Sequence, residues 1–307
     1  MRALVTGGAG FIGSSIADRL LGLGHEVVIL DDLSSGRREN IPADTEFHLG
    51  DIADADVVAK AVIGCEVVFH QAAHRAVLRS VEYPLATNNA NVTGTLTVLT
   101  AARDAGARRA VCASSSSVYG GADVLPTAET EPLVPRSPYA VSKLAGEHYG
   151  RVFSELYGFE TVNLRYFNVY GPRQRPDSQY AAVIPLFIDA LRRSVPPEVH
   201  GDGKQSRDFT YIDDVVEANL CAASAPAEAC TGKAYNVAGG VAYDLIELLD
   251  RLAAHMGVSY TPSFAPSRAG DVLHTLADAG AAARDLGFRA AIDFSEGLRR
   301  TVEWFDR

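Results

Sequence analysis

Short apolar runs recur through the first half of the chain, and amphipathic stretches follow most of them. The runs at residues 3–6, 27–30, 67–70, 109–113 and 162–166 have the length and apolar content of buried strands. The stretches between them have apolar positions returning every three or four residues, the period of a helix packed on one face. Repeated strand–helix units predict an α/β chain with a doubly wound parallel sheet, helices on both faces and right-handed crossovers. At residues 171–179 the pattern breaks into an irregular segment with three Pro or Gly and two Arg. Beyond it the spacing predicts helices over 181–193, 213–223, 243–256 and 277–286, with a Pro pair at 196–197 and an exposed loop GDGKQSRD. The division expected is a larger domain over 1–170, completed by about 208–239, and a smaller C-terminal lobe from 171–207 and 240–307.

Composition narrows the function classes. Of 307 residues, 28 are Lys or Arg and 38 are Asp or Glu, a formal net charge of −10. Such an acid excess disfavours non-specific nucleic-acid binding, which rests on cations neutralising phosphates. A small anionic ligand needs only a local cluster of positive groups and stays possible. No apolar run is long enough to span a bilayer, and MRALVTGGAG does not read as a signal peptide. The four cysteines at 65, 112, 221 and 230 form no CxxC and have no close His partners. They read as buried thiols of a cytoplasmic protein, with no metal site and no disulfide framework.

The first candidate chemistry follows the first strand. Thr6-Gly7-Gly8-Ala9-Gly10-Phe11-Ile12-Gly13 opens a helix running to about residue 23. Gly7 permits the tight turn, Gly10 lets backbone N–H groups approach a pyrophosphate, and Gly13 allows close helix–strand packing. The helix N-terminus adds its dipole and its unpaired donors. Eighteen residues past Gly13 the second strand ends in Asp31-Asp32, where a carboxylate can grip both hydroxyls of an adenosine ribose. That acid repels a 2′-phosphate, so the cofactor indicated is NAD on a Rossmann-type sheet.

The second is Ser137-Pro138-Tyr139-Ala140-Val141-Ser142-Lys143, a helix start with Ser137 as N-cap and Pro138 in the first turn. Tyr139 and Lys143 are then i and i+4 on one face. A free phenol titrates too high to be a good base near neutrality, and a nearby ammonium together with a positive nicotinamide would lower it. Upstream, Ser114-Ser115-Ser116-Ser117-Val118-Tyr119-Gly120 follows the strand at 109–113, at the carboxyl end where open parallel sheets bind ligands. A serine there can share a proton with Tyr139.

Taken with DDLSSG, GDI at 50–52, RYFNVYGPRQ, SRDFTYIDDV and the late RAGDV, these motifs resemble the extended short-chain dehydrogenase/reductase family. The likeness is to its nucleotide-sugar epimerases and dehydratases, and it covers nearly the whole chain. It implies that Gly7, Gly10, Phe11, Ile12 and Gly13 hold the NAD pyrophosphate and Asp31, beside Asp32, the adenosine ribose. Asp51 and Ile52 would border the adenine, Gln71, Ala72 and Ala73 would run under the dinucleotide, and Asn91 and Phe167 would lie near it. The catalytic set would be Ser115, which stands four residues before the Tyr of VYG, with Tyr139 as base and Lys143 as its partner. The smaller lobe would bind UDP through Asn168, Arg207, Arg268 and Asp271. The implied reaction is oxidation at C4 of a UDP-sugar, with Tyr139 removing the O4 proton, rotation of the 4-keto sugar, and reduction on its other face. The resemblance also implies a homodimer built on helices at 89–105 and 139–157.

Departures from the family pattern choose among its reactions. Dehydratases of the family carry an Asp-Glu pair directly after the catalytic hydroxyl, and here those positions are Ser116 and Ser117. Elimination therefore lacks its acid–base pair, and 4-epimerisation is the reading retained. Thr275 stands where some glucose-only relatives carry a bulky aromatic, which leaves room for an N-acetyl group. Asn168, where glucuronate-specific relatives tend to have Thr, counts against a uronic acid. His74, Arg75 and Arg79 could still meet a carboxylate, so the alternatives are a UDP-glucuronate 4-epimerase or a nucleotide-sugar dehydratase. A non-catalytic NAD-binding scaffold would need the Ser/Tyr/Lys set to be idle.

Overall fold

In the computed structural model, which describes residues 1–177, 181–267 and 272–306, the apolar runs form one seven-stranded sheet. Its strands are β1 (Arg2–Thr6), β2 (Glu26–Asp31), β3 (Glu46–Leu49), β4 (Val67–His70), β5 (Arg109–Ser115), β6 (Glu160–Tyr166) and β7 (Lys233–Val237). They lie in the order β7-β6-β5-β4-β1-β2-β3, every neighbouring pair parallel. Thr6 pairs with both Leu30 and His70, and Ser115 pairs with Tyr166. The carboxyl ends of the central strands therefore come out along one edge, and the order reverses between β1 and β4, where such sheets hold a ligand.

Among the described residues eight longer helices cover the sheet or pack beyond it: α1 (Phe11–Gly22), α2 (Ala55–Ala61), α3 (Gly94–Asp104), α4 (Pro138–Tyr157), α5 (Val183–Arg192), α6 (Ile212–Ser224), α7 (Leu245–Met256) and α8 (Phe294–Phe305). On one face Leu4, Val28, Leu30 and Val68 pack with Val98 of α3 and Phe153 of α4. On the other, Val5, Ile29, Phe69 and Val162 pack with Ile16 of α1 and Val215 of α6. That second core runs without a break beyond the sheet to Tyr170, Phe187, Leu248 and Leu298. The later elements thus share buried apolar surface with the sheet and its helices, which opposes their separation. No helix among the described residues is long and apolar enough to cross a membrane.

Several elements depart from expectation. β3 and β7 had no clear apolar run: β3 is a half-exposed edge strand, and β7 is delivered to the far edge from residue 233. The helix expected over 89–105 begins with Pro84–Asn88 and passes through a π-helical turn, Asn89–Thr93, before α3. The helix expected over 243–256 starts later, because Ala242–Asp244 pairs as a strand with Ser206–Asp208, and Asp244 then caps α7 by accepting from Glu247 N at 2.7 Å. GDGKQSRD is not exposed throughout. Asp208 is fully buried, accepting from Gly240 N and Ala277 N at 3.0 Å each. The helix expected over 277–286 shortens to Gly280–Asp285 for the same reason, since Ala277 is held by that carboxylate.

Candidate active site

The loop after β1 is shaped first by its own backbone. Gly7 has φ +70°, and its N–H donates to Leu30 O at 2.8 Å. A Cβ placed there would stand 2.7 Å from Ala72 N, and one on Gly13 would collide with the Gly7 carbonyl. Gly10, the N-cap of α1, offers no side-chain cap, so the first-turn N–H groups face the cleft. Asp31 is buried under the loop and fixes it, accepting from Ala9 N at 2.9 Å and from Leu33 N at 2.8 Å. Burial pushes its carboxyl above the usual range against those bonds, and the oxygens retain lone pairs for a ribose. A dinucleotide fits this cradle: bare donors where a diphosphate belongs, and a carboxylate at the end of β2.

Every residue expected to meet the dinucleotide lines this one cleft except Asn91 and Phe167. Asn91 is buried within the π-helical turn. Its Oδ1 accepts from His74 N at 2.7 Å, and its Nδ2 donates to His74 O at 3.1 Å and Ser142 Oγ at 2.9 Å. It ties the strand-end loop to α4 and so positions the cleft from behind. Phe167 lines the neighbouring cavity instead. The cleft also takes in Arg75, Tyr166, Arg173 and Arg175, which sequence reasoning did not list as cofactor residues. The arginines of the irregular GPRQR run were the visible signal for two of them.

Ser115, Tyr139 and Lys143 come together at the carboxyl end of β5. Ser137 caps α4 by accepting from Ala140 N at 3.1 Å, which sets Tyr139 and Lys143 one above the other. Lys143 Nζ donates to Ala113 O at 2.8 Å and stands 6.0 Å from the centre of the Tyr139 ring. Burial lowers its pKa to about 8, with Glu147 and Cys112 opposing. The phenol of Tyr139 is raised by burial, while a hydrogen bond with Ser115 and the charge of Arg75 pull it down. The phenol's lowering influences are therefore Ser115 and Arg75 in this geometry, because the Lys143 ammonium is directed at the β5 carbonyl.

A second cavity opens off the first and shares Ile12, Arg75, Ser114, Tyr139 and Tyr166 with it. Its wall carries Ser115, Ser116, Ser117, Asn168, Arg207 and Thr275. Ser117 Oγ is buried without a hydrogen-bond partner. Asn168 sits at φ +34°, and its Nδ2 donates to Asp208 O at 2.9 Å and to Thr275 Oγ1 at 3.2 Å. The Thr275 hydroxyl also accepts from Asp208 N at 3.2 Å, so it is drawn into the wall. A third cavity, lined by Asn168, Phe187, His200, Arg207 and Phe209, shares Asn168 and Arg207 with the second. Arg268 and Asp271, the other residues expected to meet UDP, lie outside the described residues.

Under the glycine loop His70 is fully enclosed, its Nδ1 2.8 Å from Thr6 Oγ1 and its Nε2 2.9 Å from Thr95 Oγ1. Burial, with the charge of Lys143 adding to it, lowers its pKa to about 3. An unfolded imidazole titrates near about 6.5, so below that value the unfolded chain takes up a proton that the folded chain refuses. This contribution to stability is complete above about pH 6.5 and is lost as pH falls, by about 3 kcal/mol at about pH 4. Urea unfolding of His70→Asn should show a correspondingly shallower acid dependence. An undiminished slope would mean that other groups carry it.

The comparisons with known proteins agree with this geometry. The model of the NAD dependent epimerase/dehydratase family matches residues 3–238. The chain is 43% identical over 312 aligned positions to a UDP-glucose 4-epimerase of Mycolicibacterium smegmatis, covering 99% of this chain and 98% of that one. A crystal structure of UDP-glucose 4-epimerase with UDP-glucose from Thermotoga maritima superposes with a TM-score of 0.95 at 35% identity, over 100% and 99% of the two chains. The Thermus thermophilus UDP-glucose 4-epimerase in complex with NAD gives 0.90 at 37% identity, over 100% and 99%. A glycine loop over a buried acid, a Ser/Tyr/Lys set at the mouth of a second cavity, and likeness along almost the full length lead to one assignment: the chain belongs to the NAD dependent epimerase/dehydratase family.

Proposed function

We propose that the chain interconverts UDP-glucose and UDP-galactose by NAD-dependent 4-epimerisation, and accepts their N-acetylamino counterparts. The observation that carries this reading is the place of Tyr139. It lines both the dinucleotide cleft and the adjoining cavity, so its phenol can meet a sugar hydroxyl brought beside the cofactor. Bound NAD supplies the reversible acceptance of hydride at C4. Tyr139 takes and returns the O4 proton, Ser115 hydrogen-bonds that oxygen, and Lys143 contributes positive charge behind the phenol. Asn168 and Arg207 line the second and third cavities alike and are suited to hold the diphosphate at their junction. Anchoring through the nucleotide leaves the hexose free to turn over between its two faces.

The choice of reaction rests on Ser116 and Ser117, which give the second cavity hydroxyls where elimination needs an acid and a base. Thr275, with its hydroxyl turned into the wall, leaves space beside the sugar for an N-acetyl group. Arg75 lines both cavities and favours UDP-glucuronate as the second reading. In this scheme residues 1–170 with about 208–239 form the NAD-binding domain, and 171–207 with 240–307 hold the nucleotide sugar. The enzyme works in the cytoplasm as a homodimer joined through its helices at 89–105 and 139–157. Incubation without added cofactor with UDP-glucose, UDP-N-acetylglucosamine or UDP-glucuronate, followed by proton NMR of the anomeric signals, tests the function. The 4-epimers of the first two are expected. A deoxy-keto product, release of carbon dioxide, or turnover of the glucuronate alone would overturn it.

A further inference from the structure

The irregular segment that opens the smaller lobe does more than connect. It is rooted by Gln174, which is buried and donates to Val169 O at 2.9 Å. From that root it reaches back over the larger domain at two places. Arg173, held at φ +70° although it is not glycine, bonds Ser14 Oγ at 3.0 Å and pairs with Asp18 at 2.6 Å, both on α1. Arg175 donates to Ser35 O at 3.3 Å, on the loop after β2, and pairs with Asp177 at 2.8 Å. Asp177 in turn pairs with Arg37 at 3.2 Å, and Arg37 N is bonded to Ala9 O of the glycine loop at 3.0 Å. The two arginines themselves line the dinucleotide cleft.

We propose that residues 173–177 form an ionic latch across the mouth of the cofactor cleft and that this latch sets how long NAD stays bound. A backbone in the left-handed region is strained for a side-chain-bearing residue and persists only where its surroundings hold it. Here the surroundings are Asp18 and Ser14, so the strained residue is the one that fastens the lobe to the phosphate-binding helix. A reaction with no net redox change gains from a cofactor that does not leave between turnovers. The shared apolar core keeps the lobes together, so the route for the cofactor lies past this segment. The fastening is made of partly exposed ion pairs, which salt weakens. The inference rests on the dinucleotide reading of the cleft and concerns only how that cleft is closed.

The test follows exchange of bound NAD in the purified holoenzyme against excess isotope-labelled NAD, read by mass spectrometry of the retained nucleotide. Asp18→Asn and Asp177→Asn line neither cavity, and each should speed release about threefold, the scale of a partly exposed ion pair. Together they should speed it about tenfold, since the two fastenings are separate. Arg173→Asn, which keeps a residue at ease in the left-handed region, should act in the same direction. Raising salt from about 0.05 M to about 0.5 M should accelerate release from the wild type and much less from the double variant. Release from the double variant at the wild-type rate, or with undiminished salt acceleration, would overturn the latch. A protein that neither carries NAD nor takes it up would overturn the cofactor reading instead.

Discussion

Replacing Tyr139 with phenylalanine should leave NAD bound and lower epimerase turnover by about a thousandfold, within the range contributed by a positioned acid–base group. The hydroxyl is the only atom removed, and its removal leaves the helix start intact, because Ser137 and not Tyr139 caps α4. The glycine loop is shaped by Gly7, Gly13 and Asp31, none of which touches that hydroxyl in a described bond. The loss should therefore appear in kcat with little change in nucleotide content. Ser115→Ala should show a smaller loss of the same kind, since Ser115 is a lowering influence on the phenol's pKa. Rapid-quench assays of UDP-glucose conversion, with the NAD content measured on the same samples, check both. Wild-type turnover by the phenylalanine variant would remove Tyr139 from the chemistry.

The second large effect lies two turns further along α4. Glu147 and Arg165 form a bidentate pair, Nε to Oε1 at 2.9 Å and Nη2 to Oε2 at 2.7 Å, with only 6% and 5% of the two side chains exposed. Ser114 Oγ donates to Glu147 at 2.5 Å, and Arg165 donates to Tyr119 Oη at 2.8 Å, which itself donates to Asn236 Oδ1 at 2.8 Å. The pair thus joins α4, the carboxyl end of β5, β6 and β7. Removing one member leaves the other charge buried and unpaired, so Glu147→Leu or Arg165→Leu should each cost about 3–5 kcal/mol. The double replacement should cost far less than the sum, because no lone charge remains, although Ser114 and Tyr119 lose a partner. Urea unfolding of the four proteins measures the coupling. Additive losses would mean that the two side chains do not act as a unit.

What could be read in the sequence was what local chemistry determines. The glycine spacing, the acid at the end of β2 and the Tyr/Lys pair on a capped helix all announce themselves over a few residues, and the structure places Gly7, Asp31, Tyr139 and Lys143 on one cleft. The five central strands were legible because burial on both faces requires unbroken apolar runs. β3 and β7 were not, since an edge strand needs less apolar surface and β7 joins the sheet from far along the chain. Asp208 sits in a charged run that looks solvated, yet backbone donors from two distant segments bury it, and burial raises its pKa to about 6. Arg109 reads as a strand's first polar residue, but its guanidinium is buried against Ala222 O, Ala225 O and Glu160. Asn91 was expected at the dinucleotide by likeness alone, and only the coordinates reveal that its amide is taken up by His74 and Ser142. Partners separated by many residues leave no periodic trace.

The central claim is that one bound cofactor removes a hydride from C4 and returns it within the same closed site. UDP-glucose deuterated at C4, converted in ordinary water by the protein as purified, tests this most directly. The account predicts UDP-galactose that keeps its deuterium at C4. Product carrying protium there would mean that the C4 hydrogen leaves to solvent, and the captive-cofactor mechanism would be wrong.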